Sequence, residues 1–148
     1  MRTKGMIQWT GIRYFRPDSK VDNWGDPSKM KRGLLLKLDV LRDHLGVPIF
    51  VTSAYRPNDS GQHGRGIAAD LIAPGVRPMD LYFAAERFGF GGLGVYRDWW
   101  WKKQENIVGG VHADDRKGHG RWICYKDDDG IQRYKKLSME MLEKYKMV

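Results

Sequence analysis

The sequence predicts a single α+β domain in which a small antiparallel sheet is packed by helices. Leucines 34, 38, 41 and 45 follow the i, i+4, i+7, i+11 pattern of a helix with one buried stripe. Short apolar, β-branched or glycine-rich runs recur after it, separated by Gly, Pro and Asp turn formers, as strands do. A chain of 148 residues that is 41% hydrophobic fills one core and calls for no second domain.

Residues 1–30 read as an irregular arm, because Arg16-Pro17-Asp18 and Trp24-Gly25-Asp26-Pro27 form turns without a sustained period. The leucine-striped helix follows and stops at Gly46 and Pro48. Ile49 to Thr52 suits a strand that delivers Ser53 to Pro57 at its end. The loop 58–66 carries His63, and 67–72 forms the next strand, from which Asp70 projects. A covering helix starts at Pro78, with Leu81, Ala84, Ala85 and Phe88 on one face and Gly89 as its cap. Gly91 to Tyr96 is a glycine-rich strand with Ile107 to His112 as its hairpin partner. Trp99-Trp100-Trp101 falls either at the hairpin tip or against the core. Arg121 to Tyr125 is a further strand, Asp127 to Gly130 a turn, and 137–146 a terminal helix with Leu137, Met141, Leu142 and Tyr145 inward. There is no internal repeat and no linker.

Lys and Arg number 26 against 18 Asp and Glu, and the net charge of +8 favours a polyanionic partner. A bacterial cell wall is one; nucleic acid is another. The basic residues are scattered, with small clusters at Lys29 to Arg32 and Lys135 to Lys136, and no single helix gathers them as a DNA-reading helix does. Nucleic acid is therefore not the expected partner. Met1 to Met6 begins with charge but no apolar stretch follows, so neither a signal peptide nor membrane insertion is expected, and the product starts in the cytoplasm. The lone Cys124, in the apolar run Trp122 to Tyr125, reads as a packed thiol.

The chemistry sits in Ser60-Gly61-Gln62-His63-Gly64-Arg65-Gly66-Ile67-Ala68-Ala69-Asp70 and in His112-Ala113-Asp114. A histidine and a carboxylate seven positions apart, joined by glycine and small residues, can bend back so that both reach one point. A second histidine from a later strand completes a three-ligand site. Zinc suits two imidazole nitrogens and one carboxylate oxygen, with a fourth position left open for hydrolysis.

Taken together, Val51-Thr52-Ser53-Ala54-Tyr55-Arg56-Pro57, Ser60 to Asp70, Phe90 to Tyr96, His112 to Asp114 and Arg121-Trp122 resemble the zinc D-alanyl-D-alanine carboxypeptidase family. That family includes phage endolysins that cut L-alanyl-D-glutamate bonds, and it shares its fold with the hedgehog signalling domain. The resemblance spans Trp24 to Trp122 and implies that His63, Asp70 and His112 bind Zn2+. It implies that Arg56 meets a substrate carboxylate or the developing oxyanion, with Ser60 and Gln62 as further substrate contacts. Related enzymes place a Glu or Asp three residues before the last histidine ligand, where this chain has Gly109. Asp114 is the first candidate for the general base, ahead of Glu105 and Asp115. Asp114 could instead orient His112, or be the third ligand itself with His112 as acid or base. His119 is a possible substrate contact or alternative ligand, His44 faces solvent, and Trp122 packs behind the metal strand.

The resulting expectation is a monomeric zinc metallopeptidase acting on the stem peptides of bacterial peptidoglycan, as an endolysin or a D,D-carboxypeptidase, after release through a holin or as part of a virion. The alternative is a zinc-containing cell-wall-binding or virion structural module without catalysis.

Overall fold

In the computed structural model, which describes residues 6–147, the leucine stripe becomes helix α1 (Arg32–Leu45), ended by Gly46. Leu34, Leu35, Leu38 and Leu41 are buried against the sheet and the second helix, α2 (Pro78–Ala85). The start of the chain, Met1 to Gly5, where a signal peptide was not expected, lies outside the described residues.

The arm has no periodicity, yet it is part of the core. Trp9, Phe15, Trp24 and Met30 are buried, and Trp24 meets Trp9 and Phe15 edge-on at 4.9 and 5.8 Å. Asp39 of α1 holds it by accepting from the backbone N–H of Arg13 at 3.0 Å and Tyr14 at 2.8 Å. These are long-range contacts, so no local pattern announces them.

The main sheet has six strands: β1 (Phe50–Ser53), β2 (Ala68–Ile72), β3 (Gly92–Tyr96), β6 (Gly110–Asp114), β7 (Gly120–Lys126) and β8 (Gln132–Lys136). Their order is β1-β2-β6-β3-β7-β8. The sheet is antiparallel except that β3 and β7 run parallel, which corrects the wholly antiparallel expectation. The reason is topological. β6 slots between β2 and β3, so the chain must cross the end of β3 before β7 can pair on its other side. It crosses at Gly91, where a Cβ would lie 1.9 Å from the Arg116 carbonyl oxygen.

The partner of β3 is accordingly Gly110–Asp114 and not Ile107 to His112. Ile107 belongs to a separate two-stranded ribbon, β4 (Trp100–Trp101) with β5 (Asn106–Ile107). The three tryptophans diverge: Trp99 stacks on Tyr96, Trp100 is exposed, and Trp101 is buried beside Phe50. β8 was not expected, because Gln132 to Lys136 has Tyr134 as its one apolar side chain and no alternation; the strand is exposed at every position. Its lysines and arginine blunt an open sheet edge. The terminal helix is α3 (Met139–Lys144), shorter than 137–146, with Ser138 capping it and Leu142 buried.

Alternation along the strands gives the sheet two faces. Val51, Ala69, Leu71, Leu93, Val95, Val111, Ala113 and Ile123 join the core with the helices. The other face carries a cross-strand row, Ser53, Asp70, His112, Gly94, Trp122 and Lys136, set by the pairing register. Gly94 is required there, since a Cβ would stand 2.2 Å from Trp122 Nε1. Gly94→Ala is expected to push the indole away at a cost of about 1–3 kcal/mol. Urea denaturation followed by tryptophan fluorescence reads both; parental stability and spectrum would contradict the packing described. Among the described residues, no helix is long and apolar enough to cross a membrane.

Candidate metal centre

Pairing of β2 with β6 sets Asp70 directly opposite His112 on the open face of the sheet. His63 arrives from the loop before β2, which is tied back by the Arg56 N–H donating to the His63 carbonyl at 3.2 Å. All three side chains are buried, and one donor atom from each lies within 4.8 Å of the others. Among the described residues, this is the group of such side chains that can hold an ion.

The hydrogen bonds assign both tautomers. His63 Nδ1–H donates to the Ala54 carbonyl at 2.6 Å, which turns the Nε2 lone pair toward Asp70 Oδ1, 3.4 Å away. His112 is oriented the other way round. Its Nε2–H donates to Asp114 Oδ2 at 2.7 Å, and Nδ1 faces Asp70 Oδ1 at 3.2 Å. Two donors each about 2.1 Å from a tetrahedral zinc ion stand about 3.4 Å apart, so this spacing fits zinc. Each imidazole also has its other nitrogen engaged by an oxygen, as metal-binding histidines do.

Arg56 is at the cluster as well. Its Nη2 donates to Asp70 Oδ2 at 2.8 Å and stands 3.3 Å from His63 Nε2, while Nε donates to Ser53 Oγ at 2.9 Å. Gln62 lies next to His63 with its Oε1 buried and without a hydrogen-bond partner. Ser60 is exposed on the loop, and no hydrogen bond ties it to the cluster among the described residues.

Asp114, the first candidate for the general base, lies outside the group of three donor atoms. It is fully buried on the far side of the His112 ring from Asp70. Arg116 occupies both its oxygens: Nε donates to Oδ1 at 2.8 Å, Nη2 to Oδ2 at 2.6 Å, and the Arg116 backbone N–H to Oδ1 at 3.0 Å. The two-residue spacing does put Asp114 and His112 on one face, but the shorter side chain reaches back onto the ring and orients it. The reserve candidates are elsewhere. Asp115 pairs with Lys37, and Glu105 is exposed at the turn of the ribbon. His119 is exposed in the β6–β7 loop, outside the cluster, and His44 is exposed on α1 with its ring against Phe88. Trp122 is beside the site, not behind it: its ring is 5.3 Å from that of His112 on the same face. Arg116 was missed altogether. Its one signal is its position just after Asp114 at the strand end.

Burial pushes the Asp70 carboxyl up, but once the imidazole nitrogens that face it are protonated, in the acid range where the carboxyl titrates, hydrogen bonds from His112 and His63 and their charges outweigh burial and hold it down at about 2. Burial also opposes ionisation of Asp114, and the bonds from His112 and Arg116 again win, so its carboxyl is held far below the usual range. His112 shifts upward, since its two carboxylate partners overcome the burial that disfavours its charge. A carboxylate depressed on folding contributes stability above its ordinary value of 3.8 and loses it as pH falls through the folded value. The metal-free protein is therefore expected to lose stability steadily from about pH 4 toward pH 2. Asp70→Asn removes part of that slope; an unchanged slope in urea melts across this range would contradict the assignment.

The model of a family described as Peptidase M15 matches residues 18–101, more than half of the chain. The matched stretch contains Arg56, His63 and Asp70 and ends before His112. No curated protein and no solved structure matches the chain.

Proposed function

This chain belongs to the peptidase M15 family of zinc metallopeptidases, and on that premise we propose that it hydrolyses a peptide bond in the stem peptides of bacterial peptidoglycan. The bond is of the kind cut by an endolysin or a D,D-carboxypeptidase. The observation that carries this reading is the convergence of His63 Nε2, Asp70 Oδ1 and His112 Nδ1 at zinc spacing, each imidazole with its other N–H already donated.

Zinc held by these three residues would supply Lewis acidity toward the scissile carbonyl and toward water. The rest falls to the chain itself. Arg56 sits beside the cluster with its guanidinium partly exposed, placed to meet a substrate carboxylate or the carbonyl oxygen as charge develops on it. Asp114 keeps His112 in the tautomer that presents Nδ1. Gln62 Oε1 is a buried acceptor for a substrate N–H. The hedgehog-like architecture goes with this reading. So does a monomer that is drawn to the anionic wall by its +8 charge, after release from the producing cell or as part of a virion.

One observation favours the second reading, a wall-binding or virion module without catalysis. Gly109 leaves no carboxylate three residues before His112, and a Cβ there would lie 2.7 Å from the Tyr96 carbonyl oxygen and 2.7 Å from Pro78 Cγ. Digestion of purified peptidoglycan followed by mass spectrometry separates the two. New peptide termini that vanish with a chelator and return with zinc support the peptidase. Retention on the wall with no new termini supports the module.

A further inference from the structure

Asp114 can hold His112 in one tautomer only if its own carboxylate is held, and the structure shows what holds it. The Arg116 guanidinium lies against the carboxylate as a fork, with Nε 2.8 Å from Oδ1 and 3.1 Å from Oδ2 and Nη2 2.6 Å from Oδ2. Its other face is covered by Trp122, whose ring centre is 5.2 Å from the guanidinium carbon. Trp122 is itself fixed by donating Nε1–H to the Tyr96 hydroxyl at 3.0 Å. Room for the pair comes from Gly92, opposite Asp114 on β3, where a Cβ would stand 2.3 Å from Asp114 Oδ2 and 2.5 Å from Arg116 Nε. The guanidinium is partly exposed whereas Asp114 is fully buried, so the fork is also the route by which a buried negative charge is neutralised.

We infer that Arg116 is a positioning residue of the metal centre, setting zinc affinity through Asp114 and His112 without touching the ion. It rests on the zinc-site part of the proposed function and is independent of the substrate. The argument is one of geometry. The backbone N–H and Nε of Arg116 both point at Oδ1, which leaves Oδ2 as the oxygen that faces His112 Nε2. A planar fork fixes the carboxylate plane as well as its distance, and a single ammonium cannot do both. Without the fork the carboxylate turns, Nε2–H loses its acceptor, and the ring no longer presents a bare Nδ1 to the ion.

Zinc titration by calorimetry of Arg116→Met, Asp114→Asn and the double variant tests this. Arg116→Met is expected to bind zinc about 10-fold to 100-fold more weakly, the range for partners of metal-binding histidines. In the Asp114→Asn background the same change is expected to cost nothing further, because both act through one bond. Nitrogen-15 spectra of the metal-free protein, taken at alkaline pH where the His112 ring is neutral, add a direct readout: one His112 tautomer in the parent and a mixture in Arg116→Met. Equal losses in both backgrounds would mean that Arg116 only supports the fold, and unchanged zinc affinity would mean that it supports nothing at the metal; either overturns the inference. Should Arg116→Met not fold, Arg116→Lys carries the test, with an intermediate loss expected and parental affinity overturning it. Zinc binding is read without substrate, so a protein that binds zinc as described yet cuts no peptidoglycan refutes the peptidase and leaves this inference standing.

Discussion

His63→Ala is expected to bind no zinc at concentrations that saturate the parent and to lose hydrolysis altogether. The substitution removes one donor of three and leaves Asp70 and His112 to hold an ion between them. Its cost to the fold is smaller. The bond from Nδ1–H to the Ala54 carbonyl is lost, a matter of about 1 kcal/mol. Asp70 keeps Arg56 Nη2 at 2.8 Å, so the carboxylate is not left as an unpaired buried charge. Thermal melts with and without zinc make the distinction. A ligand present at 100 times its dissociation constant stabilises by about 2.7 kcal/mol, which for a domain of this size raises Tm by roughly 5–10 °C. The parent should show that shift and His63→Ala should not. Parental zinc affinity in this variant would remove His63 from the metal centre and the hydrolytic proposal with it.

Asp114→Asn is expected to weaken zinc binding about 100-fold and to lower hydrolysis about 10-fold to 100-fold at zinc concentrations that saturate the parent, both losses following from the wrong histidine tautomer. The direction follows from where an amide must point. Arg116 donates to both carboxylate oxygens, but at Oδ1 one of the donors is its backbone N–H, which cannot rotate away, so the amide oxygen takes that place. The amide nitrogen is left at the Oδ2 position, where it displaces the partly exposed Nη2 of Arg116 and donates to His112 Nε2. The imidazole proton then moves to Nδ1, the atom that faces Asp70 and the ion. Such a ring offers zinc a proton in place of a lone pair. Calorimetric titration and steady-state turnover together check this. Unchanged zinc affinity with lost turnover would put Asp114 in contact with the reacting water, and complete loss of metal at any zinc concentration would make it a ligand.

The elements with a local signature were legible without coordinates. Of the leucine stripe of α1, Leu34, Leu38 and Leu41 are buried and Leu45 partly so, with Leu35 buried beside them, and Gly46 ends the helix. The strand carrying Asp70, the helix from Pro78 and the glycine-rich strand before Tyr96 all form near their expected places. So does the approach of His63 to Asp70, joined by six residues of which four are glycine or alanine, whereas His112 joins them through the pairing of β2 with β6. Arg56 too lies beside that group. What these share is that the residues near one another in the chain carry the information.

Only the tertiary structure decided the rest. The burial of Trp9, Phe15 and Trp24, the insertion of β6 between β2 and β3, and the parallel pairing of β7 depend on contacts between distant segments. The chemical character of the site depends on them as well. Which nitrogen of each histidine faces Asp70 is set by Ala54 for His63 and by Asp114 for His112, and Asp114 is in turn held by Arg116. A side chain's type is written in the sequence, but a proton's position follows from which acceptor lies within hydrogen-bond reach, and that reach is a property of the folded register alone.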